Sequence, residues 1–342
     1  MAMRSGVLGL LLALSVAAVA QADDPAAYYH GKTIKLVVGA SPGRGYSAHA
    51  RIVAQYIGRH IPGNPTIIVQ NMPAGSGMAA ANYLYNAAPK DGSEIELFNR
   101  YTIQDAYLGV KQAMYAPDKF NWLGTTASYS DNAYVFIVRA ALPIHTVDDL
   151  RHANPPLNVG NAGATPIRIL KEALGLKLNV ISGFQGDDLD LAFERGETDG
   201  HTVGYLTMVS TKPYWLTKGL ARILIQFGRS DRLPALADVP TARELARTPE
   251  DRQLIEFTEA PIMIGYPFAA PPGTPSDRVA ALRAAFTATM DDPDFQADVK
   301  SANLEYSPKT GAEVAAIVNQ LSQAPPALIE RYKSIVGDAI DR

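Results

Sequence analysis

The sequence predicts an α/β protein built as two lobes, on three observations. Short β-branched runs alternate with helix-period segments from Thr33 onward. The 342 residues exceed what one core usually holds, since a domain takes about 100–200. Glycine-rich turns join strand to helix in both halves, at Ser41–Ser47, Gly75–Gly77 and Asn161–Thr165. Two successive βαβ units then imply a parallel sheet whose strand ends carry these loops.

Before the fold begins, Met1–Ala22 has the pattern of a secretory signal: Arg4, an apolar run from Val7 to Ala20, and a small-x-small site at Ala20-Gln21-Ala22. The stretch from Ser5 to Ala22 is alanine-rich and barely long enough to span a bilayer, which favours cleavage over an anchor. Residues 1–22 are thus expected to be removed, leaving Asp23 as the mature N-terminus of an exported protein.

Thr33–Val38 is the first predicted strand. A helix follows with Ala48, Ile52, Val53, Tyr56 and Ile57 on one face, ended by Pro62-Gly63-Asn64-Pro65. Thr66–Gln70 is the second strand, and Met78, Ala81, Leu84, Tyr85 and Ala88 mark the next helix. Glu94–Phe98 is the third strand. In the second half, Tyr134–Val138, Leu157–Gly160, Asn179–Ser182, Thr198–Val203 and Ala221–Phe227 read as strands, and Val147–His152 and Ile167–Leu174 as helices. Thr165 is predicted to cap the latter, with Pro166 at its first position. Thr274 is predicted to cap a helix whose buried stripe is Val279, Leu282, Phe286 and Met290, with Asp277 at capping-box spacing. Glu313–Ile340 reads as helical, broken at Pro325-Pro326.

Composition excludes several functions. With 47% hydrophobic and 19% charged residues the chain is globular, not disordered. No cysteine occurs, so thiol nucleophiles, iron–sulfur clusters and cysteine-held zinc are out. Lys plus Arg is 31 against 34 acids, a net charge of −3 without a basic cluster for nucleic acid. The six histidines have no metal-ligand spacing, so no metal or cofactor is expected.

Each glycine turn opens a helix and so offers free N–H groups and a partial positive charge to an anion. One such turn means little; three, divided between the halves, point to an anion cleft between lobes. Enzyme motifs fit less well. Gly43-Arg44-Gly45 lacks the third glycine of a dinucleotide fingerprint, and Gln70-Asn71 stands where an acid should hold the ribose. Gly45-Tyr-Ser-Ala-His49 could mimic a nucleophile elbow, but His49 replaces the second glycine. A hydrolase using Ser47 with a distant histidine is the rival reading, and a sensor feeding a signalling partner is another.

Ile34–Arg51, with its Gly-Ala-Ser-Pro-Gly-Arg-Gly-Tyr-Ser core, resembles the first strand, loop and helix of the Bug family, the tricarboxylate-transporter-type periplasmic receptors. Val69–Gly77, Ala88–Gly92, Gly160–Thr165, Gly183–Gly186, Glu194–Gly200 and Ala270–Pro275 resemble later family motifs in order. The resemblance implies a two-lobed periplasmic-binding-protein type II fold with the ligand between the lobes. Residues 23–125 with 268–342 would form lobe 1, and 126–267 lobe 2. It implies a non-enzymatic periplasmic receptor, monomeric by default, that passes a small organic acid to the membrane permease subunits of a tripartite transporter. Carried over, the ligand contacts are Ser41, Gly43, Arg44, Tyr46, Ser47, Gly75, Ser76, Asn161, Ala162, Gly163, Ala164 and Thr165. Asp199 matches a family acid near the cleft, and is equally readable as a strand-end turn residue. Arg44 stands where the family usually has glycine and Ser47 where it usually has aspartate.

Overall fold

The computed structural model describes residues 24–43, 45–129, 132–161, 166–184 and 187–337. The segment read as a signal, Arg44, and Ala162 to Thr165 with the cap expected at Thr165 therefore lie outside the described residues.

A short helix, α1 (Pro25–Tyr29), is capped by Asp24, whose carboxylate accepts from the Ala26 N–H. The chain then alternates: β1 (Thr33–Val38), α2 (Tyr46–His60), β2 (Thr66–Asn71), α3 (Met78–Asn86), β3 (Glu94–Leu97), α4 (Arg100–Tyr107) and β4 (Asn121–Thr125). A second series follows: β5 (Tyr134–Arg139), α5 (Val147–His152), β6 (Leu157–Asn161), α6 (Pro166–Leu174), β7 (Leu178–Ser182), α7 (Asp187–Arg195), β8 (Gly200–Gly204), α8 (Tyr205–Thr211), α9 (Tyr214–Thr217) and β9 (Ala221–Phe227). After α10 (Pro249–Met263) the chain returns through β10 (Pro267–Ala270), α11 (Ser276–Met290), α12 (Pro293–Ser301), β11 (Lys309–Thr310), α13 (Gly311–Ser322) and α14 (Pro326–Val336).

Two sheets result, in the orders β11-β4-β10-β3-β1-β2 and β7-β6-β8-β5-β9. β1, β2 and β3 are parallel, and β10 runs antiparallel to both β3 and β4. β4 therefore runs with β1–β3, and the loops after β1, β2, β3 and β4 emerge at one edge. In the second sheet β6, β7 and β8 are parallel and β5 is antiparallel to β8 and β9. Tyr134 pairs with Gly204 and Phe227, so the start of β5 shares an edge with the ends of β6, β8 and β9.

Both sheets are covered on both faces, as parallel strands require. Ile34, Leu36 and Val38 pack with Val53 and Ile57 of α2 and with Leu282 and Phe286 of α11. Val135 and Ile137 pack with Phe193, Met208 and Trp215. A third cluster runs through both halves, from Phe98 and Trp122 to Val159, Ile169 and Ile255. α14 contributes to it by packing against α6 and α10, so the C-terminal helix leaves the first sheet and braces the second.

Most strands and helices named from the sequence stand within a residue or two of their expected bounds, whereas α1, α4, β4, α7, α8, α9, α10, β10, α12 and β11 were not assigned from it. Two assignments change. Thr274 does not cap α11: its hydroxyl donates to the Pro271 carbonyl at 2.9 Å, and Pro275 occupies the cap position. The last helical stretch starts at Gly311, because Thr310 and Glu313 form a capping box, and α13 and α14 are separate helices.

Candidate functional site

Loop one follows β1. Gly39 continues the strand by donating to the Leu97 carbonyl at 3.1 Å, after which Gly43 (φ 144°) and Gly45 (φ 65°) take backbone conformations that L side chains resist. A Cβ at either would meet nothing within 4 Å, so this backbone lies open to approach. Ser41 is exposed, while Ser47, on the first turn of α2, is fully buried. The Ser47 hydroxyl donates to the Ser41 carbonyl at 2.8 Å and accepts from Asn71 Nδ2 at 2.6 Å. Ser47 shapes the loop from beneath, and Arg51 holds its far side through the Gly43 carbonyl at 2.8 Å.

Loop two follows β2. Asn71 also donates to the Ala40 carbonyl at 2.7 Å, tying the loops together. Gly75 and Ser76 both have positive φ (60° and 55°), and Ser76 does so as an exposed non-glycine residue. Such strain persists only where neighbours enforce it. Here the neighbour is Asn99, whose Nδ2 donates to the Ser76 carbonyl at 2.8 Å. Gly77 (φ 95°) lies against Gly39, so that a Cβ at Gly77 would fall 2.3 Å from the Gly39 oxygen.

A third loop, after β3, was not singled out from the sequence. Asn99 caps α4 by accepting from the Tyr101 N–H at 3.1 Å, and the Tyr46 hydroxyl lies 3.5 Å from the same oxygen. The Arg100 N–H donates to the Tyr46 hydroxyl at 3.3 Å. Asn99 thus joins loops one and two from one side, with Tyr46 at the meeting point.

Facing these loops is the connection between the sheets. Thr126 and Tyr129 lie on the outward crossing, Ile262 to Tyr266 on the return, and the Tyr129 N–H donates to the Ile262 carbonyl at 3.3 Å. Ser307 joins them, its hydroxyl bridging the N–H (2.7 Å) and carbonyl (2.6 Å) of Ser128. Glu305 accepts from the Thr207 hydroxyl at 2.7 Å, linking the first sheet's C-terminal segment to α8.

His49 is buried below loop one. Its ring stacks on Tyr266 with centroids 3.8 Å apart, and Nδ1 lies 3.0 Å from the Thr126 hydroxyl. Burial pushes its pKa down to about 3, so the ring is neutral at physiological pH. Neither nitrogen bonds Ser47, and a buried serine whose hydroxyl is committed to a carbonyl and an amide is poorly placed as a nucleophile. Burial raises the pKa of Tyr46, Tyr129, Tyr134 and Tyr266, so their hydroxyls stay protonated.

On the second sheet Asn161 ends β6, buried, at the edge that carries Tyr134 and Gly204. Asp199 lies apart from the other expected contacts. It precedes β8, at the opposite edge, where its carboxylate accepts from the Asn158 N–H at 2.8 Å and its own N–H donates to the Asn158 carbonyl at 2.6 Å. Asn158 is three residues before Asn161, which is about 10 Å along the strand. The strand-end reading of Asp199 is the one its surroundings support. Ser41, Gly43, Tyr46, Gly75 and Ser76 are brought together, with Ser47 beneath them.

Among solved structures, a TctC solute-binding protein from Polaromonas superposes with a TM-score of 0.68 at 21% identity, covering 91% of this chain and 99% of that one. The periplasmic binding protein BugD gives 0.61 at 22% identity, covering 90% and 98%. MatC from Rhodopseudomonas palustris, with bound malate, gives 0.59 at 21% identity, covering 89% and 99%. At these identities the likeness is one of fold, the two-lobed periplasmic-binding-protein type II architecture. No curated protein matches the sequence. The sequence model of the tripartite tricarboxylate transporter family receptor, TctC, matches residues 50–333, and the chain therefore belongs to this family of solute-binding receptors.

Proposed function

We propose that this receptor is exported to the periplasm, where it captures a small organic carboxylate between its lobes and presents it to the membrane subunits of a tripartite transporter. The observation that carries the reading is the pair of locked loops: open, Cβ-free backbone at Gly43 and Gly75 stands beside a helix start and a strained Ser76, an arrangement of N–H groups suited to an anion. MatC with malate, and a second R. palustris protein of this fold with adipate, are acid-bound precedents. No bond is made or broken; the work is closure of the lobes on the ligand.

Ser41, Gly43, Tyr46, Gly75 and Ser76 would hold the acid from the first lobe, and Asn161 with residues 162–165 from the second. Ser47 acts indirectly by fixing the Ser41 carbonyl. Arg44 supplies a cation where relatives resembling this chain have glycine, and Ser47 removes a carboxylate there, so both changes favour an additional anionic group on the ligand. Among the described residues no helix is long and apolar enough to cross a membrane.

A thermal-melt screen over mono-, di- and tricarboxylates, followed by calorimetric titration, tests the reading: a binding acid raises Tm. Failure of every acid to do so, or turnover of model esters, would overturn it. Intact-mass analysis of periplasmic protein is expected to find Asp23 at the N-terminus.

A further inference from the structure

Resting on that reading, we infer that Arg100 is a ligand anchor: its guanidinium, walled by tyrosines at the floor of the cleft, takes a carboxylate of the bound acid, and nothing in the loop motifs assigns it this role.

Arg100 opens α4 directly after Asn99, the residue that joins loops one and two. Its side chain runs toward the crossing segments, where one Nη donates to the Gly265 carbonyl at a long 3.4 Å and Nε is buried without a partner. The guanidinium carbon lies 5.1 Å from the Tyr101 ring centre and 5.4 Å from that of Tyr129. Among the described residues no carboxylate lies within ion-pair distance. Other part-buried arginines either pair with a carboxylate, as Arg243 with Glu259 at 2.5 Å, Arg59 with Asp292 and Arg331 with Asp251, or hold two backbone carbonyls, as Arg151 and Arg222 do, whereas Arg100 has one long carbonyl contact. The acid nearest in influence, Glu305, accepts from Thr207 through Oε1, while its Oε2 is buried without a partner and burial raises its pKa, which disfavours the carboxylate as a standing counter-ion. A cation withdrawn from water without a counter-ion is costly, and an anion arriving in the cleft removes that cost.

Geometry fixes where that anion comes from. The Arg100 backbone touches Tyr46 of loop one, and its side chain reaches Gly265 and Tyr129 on the crossings, so it spans the space between loops and hinge. A carboxylate held here leaves the rest of the ligand directed toward loops one and two, with ring faces beside it. The ligand class that fits is an acid with an apolar or unsaturated body, one carboxylate on the Arg100 fork and its other polar end on the loop N–H groups.

The test is calorimetric titration of wild type, Arg100→Gln and Arg100→Lys with benzoate, adipate and malate, and with benzamide and adipamide as neutral counterparts. For whichever acid binds wild type, Arg100→Gln is expected to weaken it by about ten- to a hundredfold, with partial recovery in Arg100→Lys and little change for the amide. Labelling of wild type with phenylglyoxal, read by peptide mass, is expected to modify Arg100, and the binding acid to protect it; this needs no variant to fold. Undiminished binding by Arg100→Gln, equal losses for acid and amide, or labelling unaffected by the acid would overturn the anchor while leaving carboxylate capture standing. Absence of binding by every acid to wild type would overturn both.

Discussion

The Ser47 hydroxyl, fully buried, accepts from Asn71 Nδ2 at 2.6 Å and donates to the Ser41 carbonyl at 2.8 Å. One side chain thereby ties the start of α2 to both loops that open onto the cleft. Ser47→Ala leaves the Ser41 carbonyl without this donor and Asn71 with only the Ala40 carbonyl. A stability loss of ~1–2 kcal/mol is expected in chemical denaturation, together with weaker ligand binding because loop one is no longer fixed. Ester turnover that is present in wild type and lost in Ser47→Ala would instead restore the hydrolase reading.

Gly77 is the more demanding of the two glycines in loop two. A methyl group there meets the Gly39 oxygen at 2.3 Å with φ at 95°, whereas at Gly75 (φ 60°) the nearest atom is Met78 Cβ at 3.5 Å. Gly77→Ala is expected to cost at least ~2 kcal/mol and to separate loops one and two, and Gly75→Ala about 1 kcal/mol of backbone strain alone. Urea melts of the two variants check the ranking; equal losses would mean that the Gly39–Gly77 contact does not limit the loop.

What was legible in the sequence follows from locality. Thr33–Val38 and the glycines after it announce a strand and a turn within a dozen residues, and α2 shows its buried face by spacing alone. Arg100 gave no such signal: Asn-Arg-Tyr-Thr after β3 contains no glycine and resembles any helix start, and its meaning arises from Tyr129 and Gly265, which are distant in sequence. Asp199 is ambiguous for the converse reason. The resemblance sets it near the cleft and its place before a strand makes it equally a turn residue, and only the direction of β8 decides which edge it occupies. Thr310 and Glu313 stand at capping-box spacing, a signal the apolar periodicity of the helix does not carry because the cap precedes its first buried residue.

Asp199 should accordingly matter for stability and not for ligand. Removing its carboxylate in Asp199→Ala frees the Asn158 N–H at the far end of β6 and should cost ~1 kcal/mol. Affinity for the bound acid is expected to equal that of wild type in titration. A severalfold loss of affinity at unchanged Tm would return Asp199 to the site.

His49 makes part of the stability pH-dependent. Burial holds the folded pKa at about 3, below the ~6.5 of an exposed imidazole. As pH falls through 6.5 the unfolded chain takes up a proton that the folded chain refuses, so the His49 contribution is complete above about 6.5 and is lost progressively toward 3. His201, held at about 4 mainly by burial, acts in the same direction. Asp105, raised by burial to about 7, and Glu96, raised well above its ordinary value, act in the opposite direction, so the whole-protein profile mixes both. His49→Phe isolates one group: it keeps a ring against Tyr266, gives up the Thr126 contact, and leaves the other titrating residues in place. The stability difference between wild type and His49→Phe is expected to shift in favour of the variant by ~2 kcal/mol or more between pH 7 and pH 4.5, measured by paired urea melts. A difference that stays constant across that interval would mean that the folded imidazole takes up its proton near 6.5, as the unfolded one does.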